Sequence, residues 1–376
     1  MSSTATPART RRPFQEGGLL IVIFVLGVLL TLFGGSVKVP KLERGPDGEM
    51  QKVFKTNTAG ESELVVVERN KFLNAQSLAQ LAKDTSFIAI MAVGATFVIV
   101  SGGIDLSVGA IYALASVLGA IVFRHFGPEG PAAASGMTGA WLGALTCVGI
   151  ATFAGLANGG MIVALRVHPF IITLGTMAIF RGIAFVITKG QSIGSFPEAF
   201  RNLIGWRTEG GLSLVPLGVM VLVAVVGGLY LARLAAGRRV YAIGGNELAS
   251  RFSGIRVERV KLSVFIFSGL TAGIAALLSL GYYGGATSGD GQGYELNVIA
   301  AAVVGGASLS GGKGTALGAL LGALIIQMIS TGIVILGIDQ NYSQIIIGAV
   351  VIVAVLLDQL NNWLMKRRLA AKAGHA

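Results

Sequence analysis

The chain has 376 residues, 53% of them hydrophobic and only 12% charged, with a mean hydropathy of +0.75. Soluble domains carry about 25% charged residues, so this composition excludes an ordinary soluble fold and points to an integral membrane protein. The net charge of +11 would suggest nucleic acid in a soluble chain; in a membrane chain its placement sets topology instead, and no nucleic acid is expected.

The first apolar run spans roughly residues 18–36, behind a basic flank of Arg9, Arg11 and Arg12. The flank resembles a twin-arginine export signal, but many further apolar runs follow, and an uncleaved first helix held at its basic end is the simpler reading. Next comes a polar segment of mixed charge with Pro40, Pro46 and the turn-forming "GPDG", expected to be a solvent-exposed insertion. In "FLNAQSLAQLAKD" the residues Phe72, Leu78 and Leu81 fall near one helical face, which predicts a short interfacial helix leading back into the bilayer.

Apolar runs recur at roughly 85–101, 105–123, 138–158, 168–188, 213–235, 261–281, 296–310, 314–336 and 343–364. The expected fold is therefore an all-α polytopic membrane protein of about ten transmembrane helices, some broken or short, with both termini cytoplasmic. The domain reading is a cytoplasmic tail at 1–17, a transmembrane domain at 18–364 and a basic cytoplasmic tail at 365–376. Within the large domain, 37–84 is the extracytoplasmic insertion with its interfacial helix and 236–260 a cytoplasmic loop. That loop and the tail "MKRRLAAKAGHA" are both rich in Arg and Lys, as a positive-inside orientation requires.

Glycines four apart recur at Gly139 and Gly143, Gly155 and Gly159, Gly269 and Gly273, and Gly314, Gly318 and Gly322. This spacing puts small residues on one helix face, and packing within a single bundle is its expected use. The lone Cys147 can form no internal disulfide and reads as a small packing residue. No metal site and no cofactor are expected: His168, beside Arg166 and Pro169, has no ligand partners and reads as the flank of a cytoplasmic turn.

"VGGASLSGGKGT" resembles two nucleotide motifs and satisfies neither. Counting back from Lys313, the P-loop pattern needs glycine where Ala307 stands, and Gly314 occupies the hydroxyl position. "LSGGK" resembles the signature of ATP-binding-cassette ATPases, but the run is flanked by apolar helices, so a tight glycine turn between spans is expected. No nucleophile and base, and no pair of carboxylates, share a face, and no catalytic residue is assigned.

Asp105, in "SGGIDLSVG", is the sharpest ionisable candidate at membrane depth. It reads as the N-cap of the helix that follows, accepting from exposed amides with Ser107 beside it, or as a direct substrate contact. Glu295 and Asn297, in "GYELNVIAA", open another apolar run in the same two ways. In the cytoplasmic loop from Gly237 to Lys261, "NELASRF" has a cap-like Asn246 and is stopped by Gly254, which predicts a docking element rather than a linker. Arg251, Arg256 and Arg259 read as headgroup or rim contacts.

"GGIDLSVGAIYALAS", "GRRVYAIGGNELASRFSGI", "GYELNVIAAAVVGGASLSGGKGT" and "YSQIIIGAVVIVAVLLD" resemble, in order and spacing, the ribose/xylose-type membrane permease subunits of bacterial ABC sugar importers. The resemblance covers roughly residues 71–362. It implies a non-catalytic pore subunit in the bacterial inner membrane that imports a small sugar or polyol. The implied partners are an ABC ATP-binding subunit inside, a periplasmic sugar-binding protein outside and a second permease subunit, the same chain or a paralogue. It also implies that Gly244, Gly245, Asn246, Glu247, Ala249 and Gly254 form the loop that couples to the ATPase, similar to the "EAA" loop of other importers. Gly254 stands seven residues after Glu247, one more than in that loop. The insertion at 37–70 is longer than the family pattern. An ABC permease for branched-chain amino acids or nucleosides is the alternative within the class. A secondary transporter, which needs buried charge pairs or ion-binding carboxylates on broken helices, is the alternative outside it.

Overall fold

The computed structural model describes residues 15–44, 50–56, 62–133, 136–208 and 211–373. The basic flank of Arg9, Arg11 and Arg12, the Pro46 turn and the last three residues of the basic tail lie outside these.

The first apolar run folds as α1 (Gln15–Phe33), of whose residues Leu30 is buried and most others are exposed or half-buried, as suits a helix at the lipid boundary. The insertion then forms a small antiparallel β unit, because its Val-rich ends alternate in a strand period. β1 (Ser36–Pro40) pairs with β6 (Val66–Asn70), and two hairpins stand between them. These are β2 (Leu42–Arg44) with β3 (Met50–Lys52), and β4 (Phe54–Thr56) with β5 (Ser62–Leu64). A cycle of backbone bonds closes the three-way junction: Lys41 N–H to Val65 C=O at 2.7 Å, Val65 N–H to Val53 C=O at 2.9 Å and Val53 N–H to Lys41 C=O at 2.9 Å.

No separate interfacial helix follows, contrary to the sequence reading. Asn74 caps α2 (Ala75–Val100), its side chain accepting from Ser77 N–H at 2.9 Å, and the helix runs unbroken into the core. Nothing between 75 and 100 is a proline or a turn signal, so the polar first turns and the apolar span fuse into one helix. Phe72 precedes this helix and packs with Leu30, Leu81 and Met328, while Leu78 is exposed.

The chain continues as α3 (Val108–His125), α4 (Gly136–Leu165), α5 (Pro169–Thr188), the short α6 (Glu198–Ile204) and α7 (Leu214–Arg233). Then come α8 (Ala235–Gly245), α9 (Glu247–Phe252), α10 (Val257–Tyr283), α11 (Tyr294–Val304), α12 (Ala316–Ile335) and α13 (Tyr342–Ala373). Among the described residues, 8 helices are long and apolar enough to cross a membrane, and shorter apolar helices at Tyr294–Val304 and Tyr342–Leu357 occupy the other two expected segments. The fold is all-α and polytopic. α2 is its axis, 94% buried in its apolar window and packed by α7, α10, α11 and α12.

The glycine pairs act inside this bundle. A Cβ at Gly155 of α4 would stand 3.1 Å from the Cα of Gly269 on α10, so the two backbones touch where a side chain would hold them apart. Cys147 lies buried in the same crossing, its Sγ 3.7 Å from the Gly273 carbonyl. Residues 101–107, the α8–α9 element and residues 305–315 meet at one end of the bundle, and the β unit marks the other. The first end carries the excess of arginine that a positive-inside orientation assigns to the cytoplasm.

Candidate translocation path and coupling element

The glycine run folds as a turn between α11 and α12. Gly306, Gly311, Gly312 and Gly314 take positive φ of 95°, 82°, 72° and 145°, which only glycine adopts without strain. Ser308 N–H bonds the Lys313 carbonyl at 3.1 Å and Gly311 N–H the Ser308 carbonyl at 2.9 Å. Gly312 N–H reaches across to Val100 C=O, 2.8 Å away at the end of α2. These amides are spent on protein carbonyls, where a phosphate cradle must leave them open. Thr315 caps α12, accepting from Gly318 N–H at 2.9 Å.

α8 rests on this turn. Gly244 is packed so closely on the Val100 carbonyl and on Gly311 and Gly312 that a Cβ has no room. Tyr241 donates its hydroxyl to the Gly314 carbonyl at 2.6 Å. Gly244 and Gly245 therefore end a helix, and Asn246 separates it from α9 while capping the latter through Ala249 N–H at 2.9 Å. Gly254, at φ +79°, terminates the element. Glu247 pairs with Lys261 at 2.7 Å and lies 3.7 Å from Arg251, which in turn pairs with Glu258. Arg251, itself half exposed, thus links α9 to the start of α10. Sequence reasoning also passed over Leu248 and Phe252, which are 63% and 82% exposed one turn apart on α9. Their signal was an apolar pair at i and i+4 in an otherwise charged loop.

Asp105 lies in the loop before α3 and is not its N-cap; that position belongs to Ser107. Oδ1 of Asp105 accepts from the Ser107 amide at 2.9 Å and from Ser107 Oγ at 2.6 Å, and Oδ2 accepts from Ser268 Oγ of α10 at 2.8 Å. Asn158 of α4 donates to Ser107 Oγ at 2.7 Å, and its own Oδ1 is buried without a partner. All four residues are nearly inaccessible. The carboxylate joins the 101–107 loop to α10 directly and to α4 through Ser107 and Asn158, with both of its oxygens bonded to protein, which makes it a tie between these segments.

Glu295 and Asn297 do not cap α11 either; Gly293, at φ +81°, is its N-cap. Glu295 sits in the first turn, where a negative charge suits the helix dipole, and its Oε2 is buried without a hydrogen-bond partner. Opposite stands Arg181, in the outer half of α5, a residue the sequence reading missed although a lone arginine in "TMAIFRGIAFVIT" is itself a signal. Its guanidinium donates to the carbonyls of Ser288 at 2.9 Å, Asp290 at 2.6 Å and Gly291 at 3.1 Å. It thereby pins the loop before α11 against α5. Arg181, Gln292 and Glu295 line a cavity of about 650 Å³ on this face, beside Gly182, where a Cβ would meet nothing within 4 Å.

Residues 77–355 match the family described as the permease component of the branched-chain amino acid transport system. The chain belongs to this permease family. Among curated relatives, it is 38% identical to the ribose import permease protein RbsC of Escherichia coli (strain K12) over 297 residues, 76% of this chain and 87% of that one. It is 37% identical to the D-allose transport system permease protein AlsC of the same strain over 77% of this chain and 85% of that one. It is 32% identical to the fructose import permease protein FrcC of Rhizobium meliloti over 80% and 82%. The aligned region of this permease begins after the β unit, and its apolar helices make it a multi-pass protein of the inner membrane.

Proposed function

We propose that this chain is the pore-forming subunit of an ATP-driven importer for a small sugar or polyol, that it hydrolyses no ATP itself, and that α8–α9 is its coupling element. The solute class follows from the relatives, whose names give ribose, allose and fructose as cargo. The working assembly in this reading is two permease chains, an ATPase subunit on the cytoplasmic face and a sugar-binding protein outside. Residues 18–364 act as the permease domain, with the loop at 236–260 as its cytoplasmic contact.

The observation that carries the reading is the continuity from α9 to the solute-side cavity. Leu248 and Phe252 are exposed at the cytoplasmic tip. α8 behind them is packed through Gly244 and Tyr241 on the turn between α11 and α12. α11 then carries Glu295 to the cavity beside Arg181. Leu248 and Phe252 supply the apolar anchor for a cleft in the ATPase, Asn246 and Gly254 fix the ends of the docking helix, and the ion pairs of Glu247 keep it rigid against α10. A push on α9 then reaches the cavity through packed backbone. The double variant Leu248→Ser, Phe252→Ser is expected to insert normally but to lose ATPase co-purification and transport together. Normal co-purification and uptake would remove α9 as the coupling element.

A further inference from the structure

A second opening lies on the extracytoplasmic side, in a part of the fold that the coupling argument does not use. It is a cleft of about 690 Å³ between the start of α2, the end of α12 and the start of α13. Its lining repeats at helical spacing: Gln76, Gln80 and Asp84 on α2, and Gln327, Ser330 and Thr331 on the neighbouring α12. From Gln76 to Asp84 is about two turns, roughly 12 Å along the helix, so the polar stripe reaches well below the outer ends of both spans. Polar side chains at this depth face a protein interior or water rather than lipid.

The one carboxylate among these six is held in a fixed pose. Asp84 Oδ1 takes bonds from Lys83 Nζ at 2.8 Å and from the Tyr283 hydroxyl at 3.1 Å, and Oδ2 accepts from Gln80 Nε2 at 3.1 Å. Lys83 is itself fully buried, with its ammonium 4.2 Å and 4.6 Å from the ring centres of Tyr282 and Tyr283. The cation is therefore behind the wall, and Asp84, one quarter exposed, is the charge that fronts the cleft. Such a surface offers carboxylate and amide acceptors beside amide and hydroxyl donors. It matches vicinal hydroxyl groups, each of which donates and accepts, and its own lining holds no lysine or arginine. The volume lies within the range of small-molecule sites, about 300–1,000 Å³. Through Gln76 and Ser77 the cleft continues into a second one, about 550 Å³, beneath the β unit, where Lys52, Arg69 and Lys71 stand at the rim.

We infer that this α2–α12–α13 cleft is a water-filled outer subsite that holds a neutral polyhydroxyl solute, with Asp84 as its main hydrogen-bond acceptor and Lys83 as the residue that positions it. The inference rests on the importer reading for its solute but stands on its own lining for the water-filled cleft. The test uses the natural scarcity of thiols: the sequence holds 1 cysteine, Cys147, which is buried. Ser330→Cys is made in the cleft and Leu222→Cys on the exposed face of α7, and right-side-out membrane vesicles carrying the whole transporter are treated with a charged, membrane-impermeant methanethiosulfonate. Ser330→Cys should react at least tenfold faster than Leu222→Cys, and D-ribose, D-allose or D-fructose at high concentration should slow it severalfold. Asp84→Asn should lower uptake of the protecting sugar at least tenfold while ATPase co-purification is unchanged. If Ser330→Cys reacts no faster than Leu222→Cys and is reached only by a lipid-soluble maleimide, the cleft is lipid-filled and the inference is overturned. Fast labelling that no sugar slows overturns the solute subsite. If the wild-type vesicles take up none of the three sugars, the choice of cargo in the importer reading fails, and labelling still decides whether the cleft holds water.

Discussion

Gly244 of α8 sits directly on the carbonyl oxygen of Val100, the last residue of α2, and the same oxygen accepts the Gly312 amide at 2.8 Å. Three segments far apart in sequence thus share one atom at the end of the core opposite the β unit. A side chain at position 244 must separate them.

Gly244→Val is therefore expected to leave Leu248 and Phe252 free to bind the ATPase while breaking the contact behind them. Overpacking of this kind costs about 1–3 kcal/mol, which a large bundle tolerates. The expected phenotype is an assembled complex whose ATPase activity no longer responds to the solute-loaded binding protein and whose uptake falls at least tenfold. Loss of assembly would instead place position 244 in the docking surface itself.

Asp105 separates a tie from a solute contact. Asp105→Asn keeps an acceptor for the Ser107 amide, so it should retain folding and much of the transport. Asp105→Leu strands that amide and the hydroxyls of Ser107 and Ser268, at about 1–3 kcal/mol for each buried group left unsatisfied. It should lower the melting temperature of the detergent-solubilised protein and reduce its yield. A Leu variant with wild-type stability would show that the network carries no structural weight.

Arg181 holds the loop before α11 through three carbonyls, in a fork geometry that lysine lacks. Arg181→Lys retains the charge but loses the fork, and Arg181→Leu loses both. Both variants are expected to insert and to bind the ATPase, with uptake reduced in the order arginine, lysine, leucine. Equal uptake for lysine and arginine would mean that charge alone matters at this position.

Much of this fold was legible in the sequence, and its limits have physical causes. Apolar runs about 20 residues long announce spans because the bilayer demands them, and α5, α7 and α12 fall within two or three residues of the expected bounds. α2 was cut short because its first turns, with Gln76, Gln80 and Asp84, look interfacial when lipid is assumed to surround them; the same polarity is explained by a cleft. α8 was missed because "AIGG" ends in two glycines, yet Gly244 is helical there precisely where a close backbone approach excludes a side chain. Asp105 was recognised as a candidate, but its partners Asn158 and Ser268 sit in distant apolar helices, and a single sequence carries no sign of that meeting. Arg181 and Lys83 broke the apolar pattern visibly; what the pattern could not supply was whether carbonyls, a carboxylate or aromatic rings would receive them.

The Lys313 prediction follows from the turn geometry. With the amides of Ser308, Gly311 and Gly312 bonded to carbonyls, Lys313→Ala should leave ATP binding by the isolated subunit at background, as in the wild type. Filter binding with labelled ATP checks this. Lys313-dependent retention of nucleotide would contradict the reading of this segment as a structural turn.

The most direct test of the importer account is uptake by proteoliposomes that contain this chain with its ATPase subunit and sugar-binding protein, with D-ribose, D-allose and D-fructose as labelled solutes. The account predicts accumulation that requires ATP inside the partner's compartment, persists when ionophores collapse every ion gradient, and disappears with a hydrolysis-dead ATPase. Uptake by this chain alone, driven by a proton or sodium gradient and indifferent to ATP, would contradict it.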